Sequence, residues 1–333
     1  MKIRQLIAGM GTLALAVSLA ACGGQGAKAG GSGDKAGAST QQSGAVTPDS
    51  SGPQPKVSGS GAALHLTFPN AEAPKNLKVW VQQQGTGRKL EATDLVIAHY
   101  VGQVWKNDKP FDSSFSRGAP TPFSLQNVIP GWTQALTGLP VGTKVIVSVP
   151  PELGYGPNGG NKDAGIGAND VIDFYVEIVN AFGANQSGEK SAKVETDVAA
   201  LPVELTGAVG EPVSLKVKAG AAEPTKLTHT VIARGSGPVV AKKDVTVYVQ
   251  YAANFWDNSR TETTYGQGGP RALPIGHGAI FDSLIGIPVG SRVLIMSPSA
   301  AGGNSGQRVP SMAVVVDILG QMPTPPAANQ LNK

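Results

Sequence analysis

The chain has a single cysteine, Cys22, in 333 residues, so no internal disulfide can hold it together. Its four histidines, His65, His99, His229 and His277, have no metal-ligand spacing with one another or with an acid. Neither a metal nor a cofactor is expected. Charge is sparse as well: 15% of the residues are charged, with 27 Lys and Arg against 23 Asp and Glu and no long basic run. Nucleic acid is therefore not an expected partner. No GxSxG elbow marks a serine nucleophile. "GTG" and "GSG" lack the strand, loop and helix of a nucleotide fingerprint and read as turns.

What is present begins with a targeting pattern. Lys2 and Arg4 precede the apolar stretch "LIAGMGTLALAVSLA", and "LAAC" closes the segment at Cys22. This is a secretory signal, too short for an ordinary membrane span. "LAAC" is similar to a bacterial lipobox, in which the cysteine is lipidated and becomes the mature N-terminus. Residues 1–22 are thus expected to be a lipoprotein signal peptide, with Cys22 as the lipidation site. The protein would lie outside the cytoplasm, anchored to the cell membrane through its N-terminal lipid only. Residues 23–61 are rich in Gly, Ser, Ala, Gln and Pro and have no aromatic residue. They read as a disordered tether with a span of about 35 Å.

The remainder repeats itself. "AEAPKNLKVWVQQQGTG" from Ala71 resembles "AEPTKLTHTVIARGSG" from Ala222, and "DLVIAHYVGQVW" from Asp94 resembles "DVTVYVQYAANFW" from Asp244. "GLPVG" at Gly138 returns as "GIPVG" at Gly286, and "VIDFYVEIV" at Val171 as "SMAVVVDIL" at Ser311. So long a period is a domain duplication rather than a solenoid. Short β-branched and aromatic runs bounded by turn residues predict strands. Pro130, with "GWTQALTGL" behind it, predicts one short helix. The fold class is α+β: two domains, each a twisted antiparallel β-sheet around one short α-helix. The first spans 62–182 and the second 201–321, with a polar linker at 183–200 and a frayed tail at 322–333.

Aromatic residues are unevenly shared. Twelve of the 18 lie in the first copy and six in the second. In the first copy "VIAHYVG", "FDSS", "VIPGW", "ELGYG" and "DVIDFYVEI" follow one another between Val96 and Ile178. Together they resemble the FK506-binding-protein (FKBP) family of peptidyl-prolyl cis-trans isomerases. The resemblance implies a proline pocket at Tyr100, Phe111, Asp112, Val128, Ile129, Trp132, Tyr155, Ile166 and Phe174. Trp132 would be the floor, with Tyr100, Phe111 and Phe174 as walls. The Ile129 N–H and the Tyr155 hydroxyl would donate to a ligand, and Asp112 would be the lone carboxylate at the edge. Some members have an aromatic residue where this chain has Thr121, so one wall is expected to be lower. Proline-containing segments, and macrolides similar to FK506, are the ligands implied.

Aligned on "PVG" and the last strand, the second copy replaces Trp132 with Ile280, Val128 and Ile129 with Gly276 and His277, and Phe111 and Asp112 with Thr261 and Glu262. Tyr155 becomes Gly303 and Phe174 becomes Val314, while Tyr251 matches Tyr100. A degenerate second domain with little or no isomerase activity is expected. Two functions fit: a prolyl isomerase that assists folding of secreted proteins, or an FKBP-like lipoprotein that holds chains or a partner with little turnover.

Overall fold

The computed structural model describes residues 49–301 and 308–324; the expected signal peptide, Cys22 and residues 23–48 lie outside them. The first half is built on a sheet in the order β3-β7-β8-β4-β5, with β6 also on β4. Its strands are β3 (Lys78–Gln83), β4 (Leu95–Val104), β5 (Asp112–Ser113), β6 (Thr121–Ser124), β7 (Lys144–Val149) and β8 (Ile172–Phe182), and all their pairings are antiparallel. Alternation sorts the side chains between two faces. Val96, Ala98, Val145, Val147, Phe174 and Val176 face inward, where α1 (Pro130–Leu136) lies against them. Pro130 occupies the first turn, where an N–H is not needed. Trp132, Ala135 and Leu136 form the buried stripe. Gly131 lets the helix come close, since a Cβ there would overlap Val149 of β7.

The outer face is covered by a hairpin of β1 (Lys56–Ser58) and β2 (His65–Thr67). Leu64, Leu66 and Val57 lie on Trp80, Val101, Ile146 and Tyr175. Gln103, buried on that face, accepts from Leu66 N–H at 2.5 Å and donates to Leu66 C=O at 3.0 Å. This corrects the expected tether, whose last residues, from Asp49 on, belong to the fold. Asp49 pairs with Lys78, and the Trp80 Nε1–H donates to Ser50 C=O at 2.7 Å. Few apolar residues are needed here, because the sheet supplies the other half of the contact.

The second half repeats this plan in the order β9-β12-β16-β19-β13-β14, with β15 on β13. Its elements are β9 (Lys193–Val194), a covering hairpin of β10 (Val203–Thr206) and β11 (Ser214–Val217), then β12 (Thr228–Arg234), β13 (Val245–Phe255), β14 (Thr261–Thr263), β15 (Arg271–Pro274) and β16 (Arg292–Ser297). A small ribbon of β17 (Ala300–Ala301) and β18 (Arg308–Val309) precedes β19 (Met312–Pro323). Even the irregularity recurs: the β4–β8 register shifts between Ile97 and Ala98, and the β13–β19 register between Tyr248 and Val249.

Three expectations change. The second helix is a single 3-10 segment, Ile280–Leu284. Its entry has no proline, and Gly276 and Gly278 take positive φ while their N–H groups donate to Asp282. The polar linker carries structure of its own: β9 pairs with β12, and Glu189 N–H donates to Gly290 C=O at 2.8 Å. The tail begins later than expected, since β19 runs to Pro323. Among the described residues no helix is long and apolar enough to cross a membrane.

Candidate functional site

The site lies on the inner face of the first sheet, at the start of α1. Trp132 is 6% exposed and three aromatic rings meet it edge-on. The ring of Tyr100 from β4 stands 5.5 Å away at 87°, Phe174 from β8 at 5.0 Å and 90°, and Phe123 from β6 at 4.7 Å and 72°. Phe111 stands edge-on to Phe174 at 5.7 Å. Such edge-to-face pairs each contribute about 0.5–1.5 kcal/mol beyond area burial. They present ring faces and edges but no nucleophile. Val128, Ile129 and Tyr155 are partly buried against the same cluster, and Ile166 is buried in it. Eight of the nine expected pocket residues therefore share one cluster, and the ninth, Asp112, accepts from the Tyr100 hydroxyl.

Two backbone features shape the rim. Ile129 is the residue before the helix; its C=O accepts from Trp132 N–H at 3.0 Å, while its own N–H meets no acceptor among the described residues. Ile166 closes the loop after Tyr155 by exchanging hydrogen bonds with Asn161, at 2.9 and 2.8 Å. The Tyr155 hydroxyl has no partner among the described residues.

Each oxygen of the Asp112 carboxylate accepts a hydrogen bond. Tyr100 donates to one oxygen and Arg117 to the other, and Arg117 Nη2 also donates to the Tyr100 oxygen at 2.9 Å and to Thr121 Oγ1 at 3.3 Å. The Arg117 guanidinium lies 5.5 Å from the Tyr100 ring centroid. Burial, with Asp112 as acceptor, pushes the Tyr100 hydroxyl up to about 12, so it remains a donor at neutral pH. Asp112 is thus placed to hold Tyr100 and Arg117 in position.

Three site residues were not identified from sequence. Arg117 follows Asp112 by five residues in "FDSSFSR", and a cation one turn beyond a lone acid was the available signal. Phe123 supplies the wall beside Thr121. Gly102 makes the aromatic corner possible: a Cβ there would fall 2.6 Å from Phe111 Cζ and 2.7 Å from Phe174 Cε1.

The second half corrects part of the alignment. The ring beside Tyr251 belongs to Phe281, 6.0 Å away, not to Ile280. Glu262 also keeps the role of Asp112, accepting from the Tyr251 hydroxyl at 2.5 Å. Val314 stands opposite Ala253 as Phe174 stands opposite Gly102. Thr261, Gly276 and His277 are exposed and build no rim, and Gly303 lies outside the described residues.

The cluster thus sets aromatic rings around Trp132 beside an Ile129 N–H that meets no acceptor among the described residues. The profile of the FKBP-type peptidyl-prolyl cis-trans isomerase family matches residues 86–179. The FKBP-type peptidyl-prolyl cis-trans isomerase FkpA of Aeromonas hydrophila is 40% identical over 117 residues, 35% of this chain and 42% of that protein. FK506-binding protein 2 of Candida glabrata is 44% identical over 96 residues, 28% of this chain and 69% of that protein. Among solved structures, a peptidyl-prolyl cis-trans isomerase from Pseudomonas syringae is 31% identical, with 32% of this chain and 74% of that one covered and a TM-score of 0.29. The chain spans 42%, 43% and 40% of three bacterial relatives that it matches. The chain belongs to the FKBP-type peptidyl-prolyl cis-trans isomerase family.

Proposed function

We propose that the first half catalyses cis-trans isomerisation of X–Pro bonds in the Trp132 pocket, and that it acts on secreted proteins outside the cytoplasmic membrane. The observation that carries this reading is the ring of Tyr100, Phe123 and Phe174 standing edge-on around Trp132. The barrier to rotation about an X–Pro amide is about 18–20 kcal/mol and comes from resonance that water stabilises. On the Trp132 floor the prolyl ring leaves water, and the planar, charge-separated amide loses that stabilisation. The free Ile129 N–H is placed to receive a carbonyl oxygen, which holds one side of the bond while the other turns. Binding the twisted amide better than either planar form is sufficient for catalysis. No proton transfer is required.

Lipidation at Cys22 would keep the activity at the membrane surface, where slow prolyl isomerisation limits folding over tens of seconds. Macrolides similar to FK506 would compete for the same floor. The second half is a degenerate domain of the same fold, with the frame kept and the rim lost. Prolyl exchange on a short X–Pro peptide, with and without Trp132→Ala, tests the reading. Acceleration that the substitution removes supports it. No acceleration by the folded parent would leave a chain-binding protein with little turnover.

A further inference from the structure

Beyond its covering hairpin, the outer face of the first sheet ends in Leu95, Ile97 and Phe182. These residues pack with Tyr248 and Leu319 of the second half, and with partly buried Ala272 and Met322. Phe182 stacks on Tyr248 with ring centroids 5.0 Å apart and planes at 28°. Gly320 makes room for that ring, since a Cβ there would fall 2.7 Å from Phe182 Cζ.

The two registers show which residues of the halves are equivalent. Counted from the shared irregularity, Ile97 corresponds to Tyr248 and Leu95 to Thr246. Phe182, paired with Leu95, corresponds to Met322, paired with Thr246. The contact is therefore one surface used twice. Phe182 of the first half meets Tyr248 of the second, and the reciprocal pair, Met322 and Ile97, lies in the same cluster. Reciprocity of this kind is the mark of an isologous two-fold interface. The symmetry is approximate, because Leu319 is covered while its counterpart Val179 is 38% exposed.

We propose that this patch is a self-complementary docking face of the repeat and that the second half is its built-in partner. A contact suited to two copies of one domain has become intramolecular. The linker enforces it: Gln250 Nε2 and Gly266 N–H both donate to Ala184 C=O, at 2.6 and 2.9 Å. Tethering of this kind raises the effective concentration of the two faces without a new contact. The face lies on the opposite side of the first sheet from Trp132, so docking leaves the pocket open. The occupant that fits the face, once it is freed, is the same face of a second chain.

Sedimentation velocity of the full chain across the micromolar range tests this. The parent is expected to be monomeric. Tyr248→Asp should release the first half's face and give a concentration-dependent dimer, and adding Ile97→Asp should return it to monomer. Gly320→Ala, which disturbs only the seat of Phe182, should give the same dimer at higher concentration and serves if Tyr248→Asp does not fold. Prolyl exchange should be unchanged in every folded variant. Folded single variants that stay monomeric would overturn the proposal, whether or not the halves then unfold separately. So would a dimer that survives Ile97→Asp.

Discussion

Tyr100 in the first half and Tyr251 in the second stand at equivalent strand positions, each bonded to a carboxylate and each beside an aromatic ring. Around Tyr100 are the rings of Trp132, Phe111, Phe123 and Phe174, and Tyr100 itself is only partly buried. Around Tyr251 there is Phe281 alone, and Tyr251 is 3% exposed. The difference shows what each feature serves. The hydroxyl–carboxylate tie and one inward ring belong to the frame, since both halves keep them. The additional rings, Gly102 and the residues Val128 and Ile129 are what the proposed pocket requires, and their counterparts in the second half differ. Gly102 and Ala253 state this most compactly: glycine stands where two phenylalanines meet, and alanine where they are absent.

The ionic pairs of the two halves offer the largest test of this comparison. Lys144–Glu177 lies at the surface, with side chains 38% and 26% exposed, whereas the equivalent Arg292–Asp317 is 2% and 0% exposed. Arg292 also donates to the Ala208 and Glu211 carbonyls, and Tyr265 donates to Asp317 at 2.5 Å. Arg292→Ala should therefore cost about 3–5 kcal/mol in urea unfolding, because Asp317 is left buried and unpaired. Lys144→Ala should cost at most about 1 kcal/mol.

The tyrosines give a smaller effect and separate frame from pocket. Tyr100→Phe and Tyr251→Phe each remove a hydrogen bond to a carboxylate, and each should lower stability by about 1.5–3 kcal/mol. Prolyl exchange should fall in the first variant only. Equal loss of exchange in both would mean that the second half contributes to the site.

A third contrast lies under the covering hairpins. Asp173 and Ser148 face the first hairpin where the second half has Ala313 and Met296. Burial pushes the Asp173 carboxyl, whose oxygens meet no hydrogen-bond donor among the described residues, up to about 8. The unfolded carboxyl ionises near pH 4. Between about pH 4 and 8 the folded chain thus holds a proton that the unfolded chain has lost. The contribution of this carboxyl to stability is greatest below this window and falls across it by about 1.4 kcal/mol per pH unit. Asp173→Val should flatten that slope, measured as unfolding free energy at several pH values within the window.

The sheet plan was legible in the sequence because the duplication displays it: strands that recur in order, with the same turn residues, define the frame twice. The cluster of aromatic residues around Trp132 was legible through five motifs in register. What escaped depends on tertiary contact. Asp49 to Ser58 carries few apolar residues and folds only because Trp80, Val101 and Tyr175 wait beneath it. Phe281 was passed over for Ile280 because alignment counts residues, whereas a 3-10 segment turns its side chains differently from an α-helix. Arg117 was missed because an isolated arginine in a polar loop has no periodicity to mark it.

The central claim is that one pocket, floored by Trp132, carries the prolyl isomerase activity. The direct measurement is kcat/KM for prolyl exchange by the full chain, compared with Trp132→Ala and Phe281→Ala. The account predicts that Trp132→Ala falls to the uncatalysed rate while Phe281→Ala, destabilised by about 3–5 kcal/mol but still folded at low temperature, keeps the parent value. Full activity in a folded Trp132→Ala chain would contradict it.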